Sequence, residues 1–80
     1  MTQIYNYKIV IEPDEPSGYF VSVPALPGCY TQGETVEEAI KMAKEAIELH
    51  LEVLDEQNQD IPIEHGTIIS DIQLERRVRA

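Results

Sequence analysis

The sequence predicts an α+β domain in the order β-β-β-α-β: a curved four-stranded sheet with one long helix packed on one face. Two periodicities carry this. Residues Ile4–Glu12 and Tyr19–Val23 alternate apolar and polar side chains, the period of two of a half-buried strand. Residues Thr35–Glu56 place apolar side chains three and four apart, the period of an amphipathic helix. The stretches between them are rich in Pro and Gly, which end regular structure. At eighty residues the chain is expected to form a single domain over residues 1–80, with 75–80 as a basic tail.

In the first strand Tyr5, Tyr7, Ile9 and Ile11 share one face, opposite Asn6, Lys8, Val10 and Glu12. Pro13-Asp14-Glu15-Pro16-Ser17-Gly18 is dense in turn formers and closes a hairpin. The second strand then turns Tyr19, Val21 and Val23 inward and Phe20 and Ser22 outward. Pro24-Ala25-Leu26-Pro27-Gly28 cannot be a central strand. It reads as a rigid corner with Leu26 plugging the core edge. Cys29–Gln32 is a short third strand, and Gly33-Glu34 leads into the helix.

Thr35 is a suitable N-cap and Glu38 follows three residues later, so a capping box is expected. The helix interior lacks Gly and Pro and would span about 33 Å at a rise of roughly 1.5 Å per residue. Val36, Ala39, Ile40, Ala43, Ile47, Leu51 and Leu54 form the core-facing stripe. Met42, Ala46, Leu49 and Val53 form a shoulder beside it, so the apolar arc is wider than the roughly 100° that one sheet needs. Gln57-Asn58-Gln59-Asp60 stops the helix. Pro62 keeps Ile61 extended, Gly66 permits a turn, and Thr67–Leu74 is the expected fourth strand, although Ile68-Ile69 breaks strict alternation. A right-handed crossover through the helix would lay it parallel to an earlier strand.

The formal net charge is -9. The helix alone carries seven carboxylates against Lys41 and Lys44. Such a surface repels nucleic acid over most of its area and attracts a basic partner. No stretch approaches the roughly 20 apolar residues of a membrane helix, and no secretory signal opens the chain. The single Cys29 cannot form an internal disulfide. These features favour a cytoplasmic protein.

Several motifs together resemble the N-terminal domain of the HicB antitoxin family, which also occurs as small stand-alone HicB-like proteins. They are Tyr7-x-Ile9-x-Ile11-Glu12, Gly18-Tyr19-Phe20-Val21, Val23-Pro24-Ala25-Leu26-Pro27-Gly28-Cys29, Gly33-Glu34-Thr35-Val36-Glu37-Glu38-Ala39 and Ile61-Pro62. The resemblance covers about residues 5–63. It implies a shortened ribonuclease-H-like sheet. It also implies an antitoxin of a type II toxin-antitoxin system that binds and neutralises HicA, a small basic mRNA-cleaving toxin. Many family members add a C-terminal helix-turn-helix or ribbon-helix-helix domain that binds DNA. Only six residues follow the expected fourth strand here, so no direct DNA-binding domain is expected in this chain.

The partner surface expected from the helix is Met42, Leu49 and Val53 as apolar anchors, with Glu45 and Glu48 steering a basic toxin. The alternative is a solitary homo-oligomeric structural or regulatory module, with the same shoulder as its seam. Catalysis is not expected. Cys29 has no base or positive neighbour in sequence to activate it and reads as a structural residue. His50 falls within the core stripe and His65 in a loop, without the further ligands of a metal site. The strands supply too few carboxylates for a two-metal nuclease. Hence no catalytic residue, metal or cofactor is assigned. Arg76, Arg77 and Arg79 read as a solvated tail, and Tyr5, Tyr7, Tyr19 and Tyr30 as core or sheet-edge residues with one or two available to a partner.

Overall fold

The computed structural model describes residues 2–79. Strands β1 (Val10–Pro13), β2 (Tyr19–Ser22) and β3 (Tyr30–Gly33) precede helix α1 (Val36–Glu56). The sheet is antiparallel, in the order β1-β2-β3. Its register pairs Ile11 with Val21 and Val21 with Thr31. This keeps Tyr19, Val21 and the half-buried Ile9 and Ile11 on the helix side, while Phe20 and Tyr30 stack on the outer face at 5.6 Å between ring centroids. The α+β class and the helix across one face are as the sequence predicts.

The strands are shorter than the alternation suggests. Pro24 begins a turn one residue after β2, so β2 offers four residues to its neighbour and the ladder with β1 covers only Val10–Pro13. Residues 2–9 continue outside the ladder. In the corner, the N–H of Leu26 donates to Val23 O at 2.9 Å and that of Cys29 to Leu26 O at 3.0 Å. Leu26 has no exposed surface, and it packs with the buried Val23 and Cys29. Two adjoining clusters make the core: Val21 with Ala39 and Ala43, and Val23 with Leu26 and Cys29.

The helix start explains the motif around it. Thr35 is the N-cap, and its hydroxyl accepts the Glu38 N–H at 3.0 Å. The Glu38 carboxylate reaches back to the N–H of Glu34 at 3.0 Å, one residue before the cap whose own N–H a capping box ordinarily satisfies. Ala39 is fully buried. Gly33 lies so close beneath it that a Cβ there would stand 2.6 Å from Ala39 N. Gly33, Thr35, Glu38 and Ala39 thus act together in one strand-to-helix junction.

Two expectations are corrected. Thr67–Leu74 does not form the fourth strand: among the described residues it has no ladder partner, and Ile68, Ile72 and Leu74 are 77–85% exposed. A strand exists only through its neighbours' hydrogen bonds. Here residues 61–64 touch the β1 side, with Tyr7 Oη donating to Pro62 O and Lys8 N–H to Glu64 Oε1 at 3.0 Å. Gly66 then turns with φ +78° and the following segment leaves the sheet. The molecule consequently extends 61 Å along its longest axis. The core stripe is also narrower than expected. Ala39 and Ala43 are buried and Ile47, Leu51 and Leu54 half-buried, but Val36 and Ile40 stand 41% and 50% exposed. With no fourth strand beside β1, that flank of the helix has nothing to cover it.

Candidate functional site

Three depressions surround the helix. The first, about 390 Å³, lies between the β1 side and the uncovered helix flank. Its apolar wall comes from Tyr5, Tyr7 and Ile9 facing Ile40, Ile47 and Leu51, with Lys44 and Glu48 at its edge. Tyr5 and Tyr7 stack there, 6.3 Å between centroids and nearly parallel. The Tyr7 phenol is pushed above its ordinary pKa of 10.0 by burial first, and then by the charges of Tyr5 and Glu64.

The second depression, about 490 Å³, gathers carboxylates that are far apart in sequence. The hairpin turn brings Asp14 and Glu15, and the strand-to-helix junction brings Glu34 and Glu38; Met42 and Tyr19 complete it. Gly18 makes this approach possible. It has φ +87°, and a Cβ on it would meet Gly33 O at 3.0 Å. The third depression, about 420 Å³, runs along the other helix flank between Tyr30 and the Leu49, His50 and Val53 side chains.

The expected partner residues are distributed over these features. Leu49, 63% exposed, and Val53, 41% exposed, line the third depression together. Met42 is half-buried and faces the acidic hollow, while Glu48 edges the first groove on the opposite flank. Glu45 is exposed and lines none of the three. Sequence periodicity missed the acidic hollow, because its two halves come from separate turns. Gly18 and Gly33, which permit the approach, read in the sequence only as separate turn residues.

Cys29 is buried, and burial raises its thiol above the ordinary 9.0. This is the reverse of what a nucleophile needs. His50 is half-buried on the helix and His65 exposed. Among the described residues no three His, Cys, Asp or Glu side chains are grouped to hold a metal ion. None of the described helices is long and apolar enough to cross a membrane. What the geometry offers is binding surface: two apolar grooves and an acidic hollow.

Residues 7–76 match the family model of the HicB-like antitoxin of bacterial toxin-antitoxin systems. The chain belongs to the HicB-like antitoxin family. Among its relatives, a UPF0150 protein of Synechocystis is 47% identical over 62 residues, covering 78% of each chain. A UPF0150 protein of Thermoplasma acidophilum is 45% identical over 65 residues, 81% of this chain and 94% of that one. Antitoxin HicB 1 of Photorhabdus laumondii is 46% identical over 58 residues, which are 72% of this chain but 37% of that longer protein. In structure, the HicB-like fold superposes on the N-terminal domain of Burkholderia pseudomallei antitoxin HicB with a TM-score of 0.67. The identity there is 39%, over 76% of this chain and 72% of that domain.

Proposed function

We propose that this chain is the antitoxin of a type II toxin-antitoxin pair and neutralises a small, basic, HicA-like mRNA-cleaving toxin by binding it. Family membership supports the toxin-antitoxin class, and the observation that carries the finer reading is the pairing of exposed apolar surface with uncompensated acid. Leu49 and Val53 offer desolvatable anchors. The chain as a whole carries -9 net charge, and four of its carboxylates converge in the separate hollow at the helix start, where Met42 lies. Apolar anchors supply affinity, and acidic surroundings speed the approach of a basic partner. In this reading Met42, Leu49 and Val53 anchor the toxin while Glu45 and Glu48 steer it. The chain acts by occupying the toxin's RNA-binding surface and not by catalysis. Neutralisation takes place in the cytoplasm, where mRNA is.

The test is co-purification with the product of a small basic reading frame adjoining the gene, followed by RNA cleavage by that partner with and without this chain. A stable complex with suppressed cleavage is expected. Glu45→Lys with Glu48→Lys should slow association more than it speeds dissociation, and Leu49→Glu should chiefly speed dissociation. Full cleavage in the presence of saturating antitoxin would refute the reading. Unchanged association rates in the double variant would remove the steering role.

A further inference from the structure

The segment that leaves the sheet has the pattern of a strand. From Ile68 onward the even positions are Ile68, Ser70, Ile72, Leu74, Arg76 and Val78, so one face is largely apolar. Ile68, Ile72, Leu74 and Val78 are 77–86% exposed, and the segment makes no backbone hydrogen bond to the body among the described residues. An amphipathic strand with a bare apolar face is a half-made structure. The same molecule carries the missing half. Strand β1 is one of the two edges of the sheet, and beside it, unlike β3, runs the uncovered groove of Tyr5, Tyr7, Ile9, Ile40, Ile47 and Leu51.

We propose that two copies of this chain exchange these segments, the residue 67–78 strand of each lying along the β1 edge of the other with its apolar face over that groove. The arrangement is isologous: each copy offers one strand and one groove, so a two-fold pair leaves neither unmatched. Main-chain bonds to a free edge supply the attachment, and alternate side chains entering the groove set the register. Charge favours it as well. Residues 67–80 carry Asp71 and Glu75 against Arg76, Arg77 and Arg79, a net of +1, so the rest of the chain carries -10 of the total -9. The arginines therefore meet an acidic body.

A second copy fits better than the chain's own segment. The contacts of Pro62 and Glu64 with Tyr7 and Lys8 tether the segment's root halfway along the β1 side of the groove, and Gly66 turns the chain away immediately afterwards. Twelve residues of strand span about 40 Å, whereas only residues 9–13 of the β1 side lie beyond the tether, about 17 Å. A segment arriving from a partner is not tied to Tyr7 and Lys8, so its own side chains can set where it lies along the edge that residues 61–64 leave open.

The inference is independent of any toxin and is tested on the full chain alone. Sedimentation should give twice the 9.1 kDa chain mass. Ile72→Asp with Leu74→Asp should halve that mass while helical circular dichroism stays unchanged, since neither side chain has a contact to lose within the protomer. Ile40→Asp, on the groove side, should do the same, and Leu49→Glu, on the other flank, should leave the dimer intact. Hydrogen exchange should protect amides 68–74 in the wild-type dimer and not in the Ile72→Asp, Leu74→Asp monomer. A monomeric wild type, a dimer that survives Ile72→Asp with Leu74→Asp, or a dimer broken only by Leu49→Glu would each overturn the proposal. A wild-type monomer with amides 68–74 protected would show the segment folding back on its own edge.

Discussion

Gly33→Ala should destabilise the fold by steric conflict alone. The added Cβ would stand 2.6 Å from Ala39 N, 2.8 Å from Ala39 Cα and 3.0 Å from the Glu38 carbonyl carbon. Carbon contacts settle near 3.5–4.0 Å, so β3 and the helix start must separate by roughly 1 Å. The atoms struck are backbone, and Ala39 N–H is already committed to Thr35 O at 2.8 Å. No rotamer change relieves the clash. Overpacking of this kind costs about 1–3 kcal/mol. Losing a glycine also restricts the unfolded chain, which offsets about 0.4–1 kcal/mol. The net loss is about 1–2 kcal/mol, and in a domain of this size each 1 kcal/mol lowers Tm by about 4–8 °C. A thermal melt followed by circular dichroism should therefore drop by about 5–15 °C. Gly28 provides the contrast, with φ +84° and nothing within 4 Å of its Cβ position. There the difficulty is backbone conformation, so Gly28→Asn should recover most of what Gly28→Ala loses, because Asn tolerates the left-handed region. At Gly33 the larger Asn should deepen the loss. A Gly33→Ala protein melting at or above the wild-type temperature would refute the close-approach argument.

Leu26→Ala removes the plug of the Pro-rich corner and should cost about 2–5 kcal/mol, read as a lower urea midpoint with an unchanged slope; a loss below this range would mean that the corner collapses around the gap. Thr35→Ala leaves the Glu38 N–H without its acceptor and should cost about 1 kcal/mol, with Thr35→Ser recovering most of it in the same titration. Burial of Cys29 raises the folded-state thiol pKa above its ordinary 9.0. The stability tied to its neutral form is complete below that ordinary value and is lost as pH rises through the higher folded-state pKa. Urea titrations at neutral and alkaline pH should show a larger alkaline loss for wild type than for Cys29→Ala. Equal losses would place the thiol outside the linkage.

The helix, its cap and the corner were legible because their causes are local. Thr35 and Glu38 lie within one turn, the helix has no internal breaker, and Pro24 and Pro27 restrict the backbone wherever they sit. Leu26 as core plug and Cys29 as a buried structural thiol follow from the same corner. The candidate surfaces were legible only in part. Periodicity placed Leu49 and Val53 on one shoulder, and they do line one groove. The acidic hollow was not visible, because Asp14 and Glu15 meet Glu34 and Glu38 only when two turns come together across Gly18 and Gly33. The bare Ile40 was not visible either, since an apolar residue in a stripe is buried only if something covers it.

By itself the sequence determined the α+β class, the position and cap of the helix, the inward set of β2 and the acidic character of the surface. Each depends on residue type and short-range spacing. The tertiary structure alone decided the length of the sheet ladder, the close contact of Gly33 with Ala39 and the course of residues 67–79. A strand is made by its partner's hydrogen bonds, and no periodicity in Thr67–Leu74 can state which edge will receive it or whether that edge belongs to the same chain.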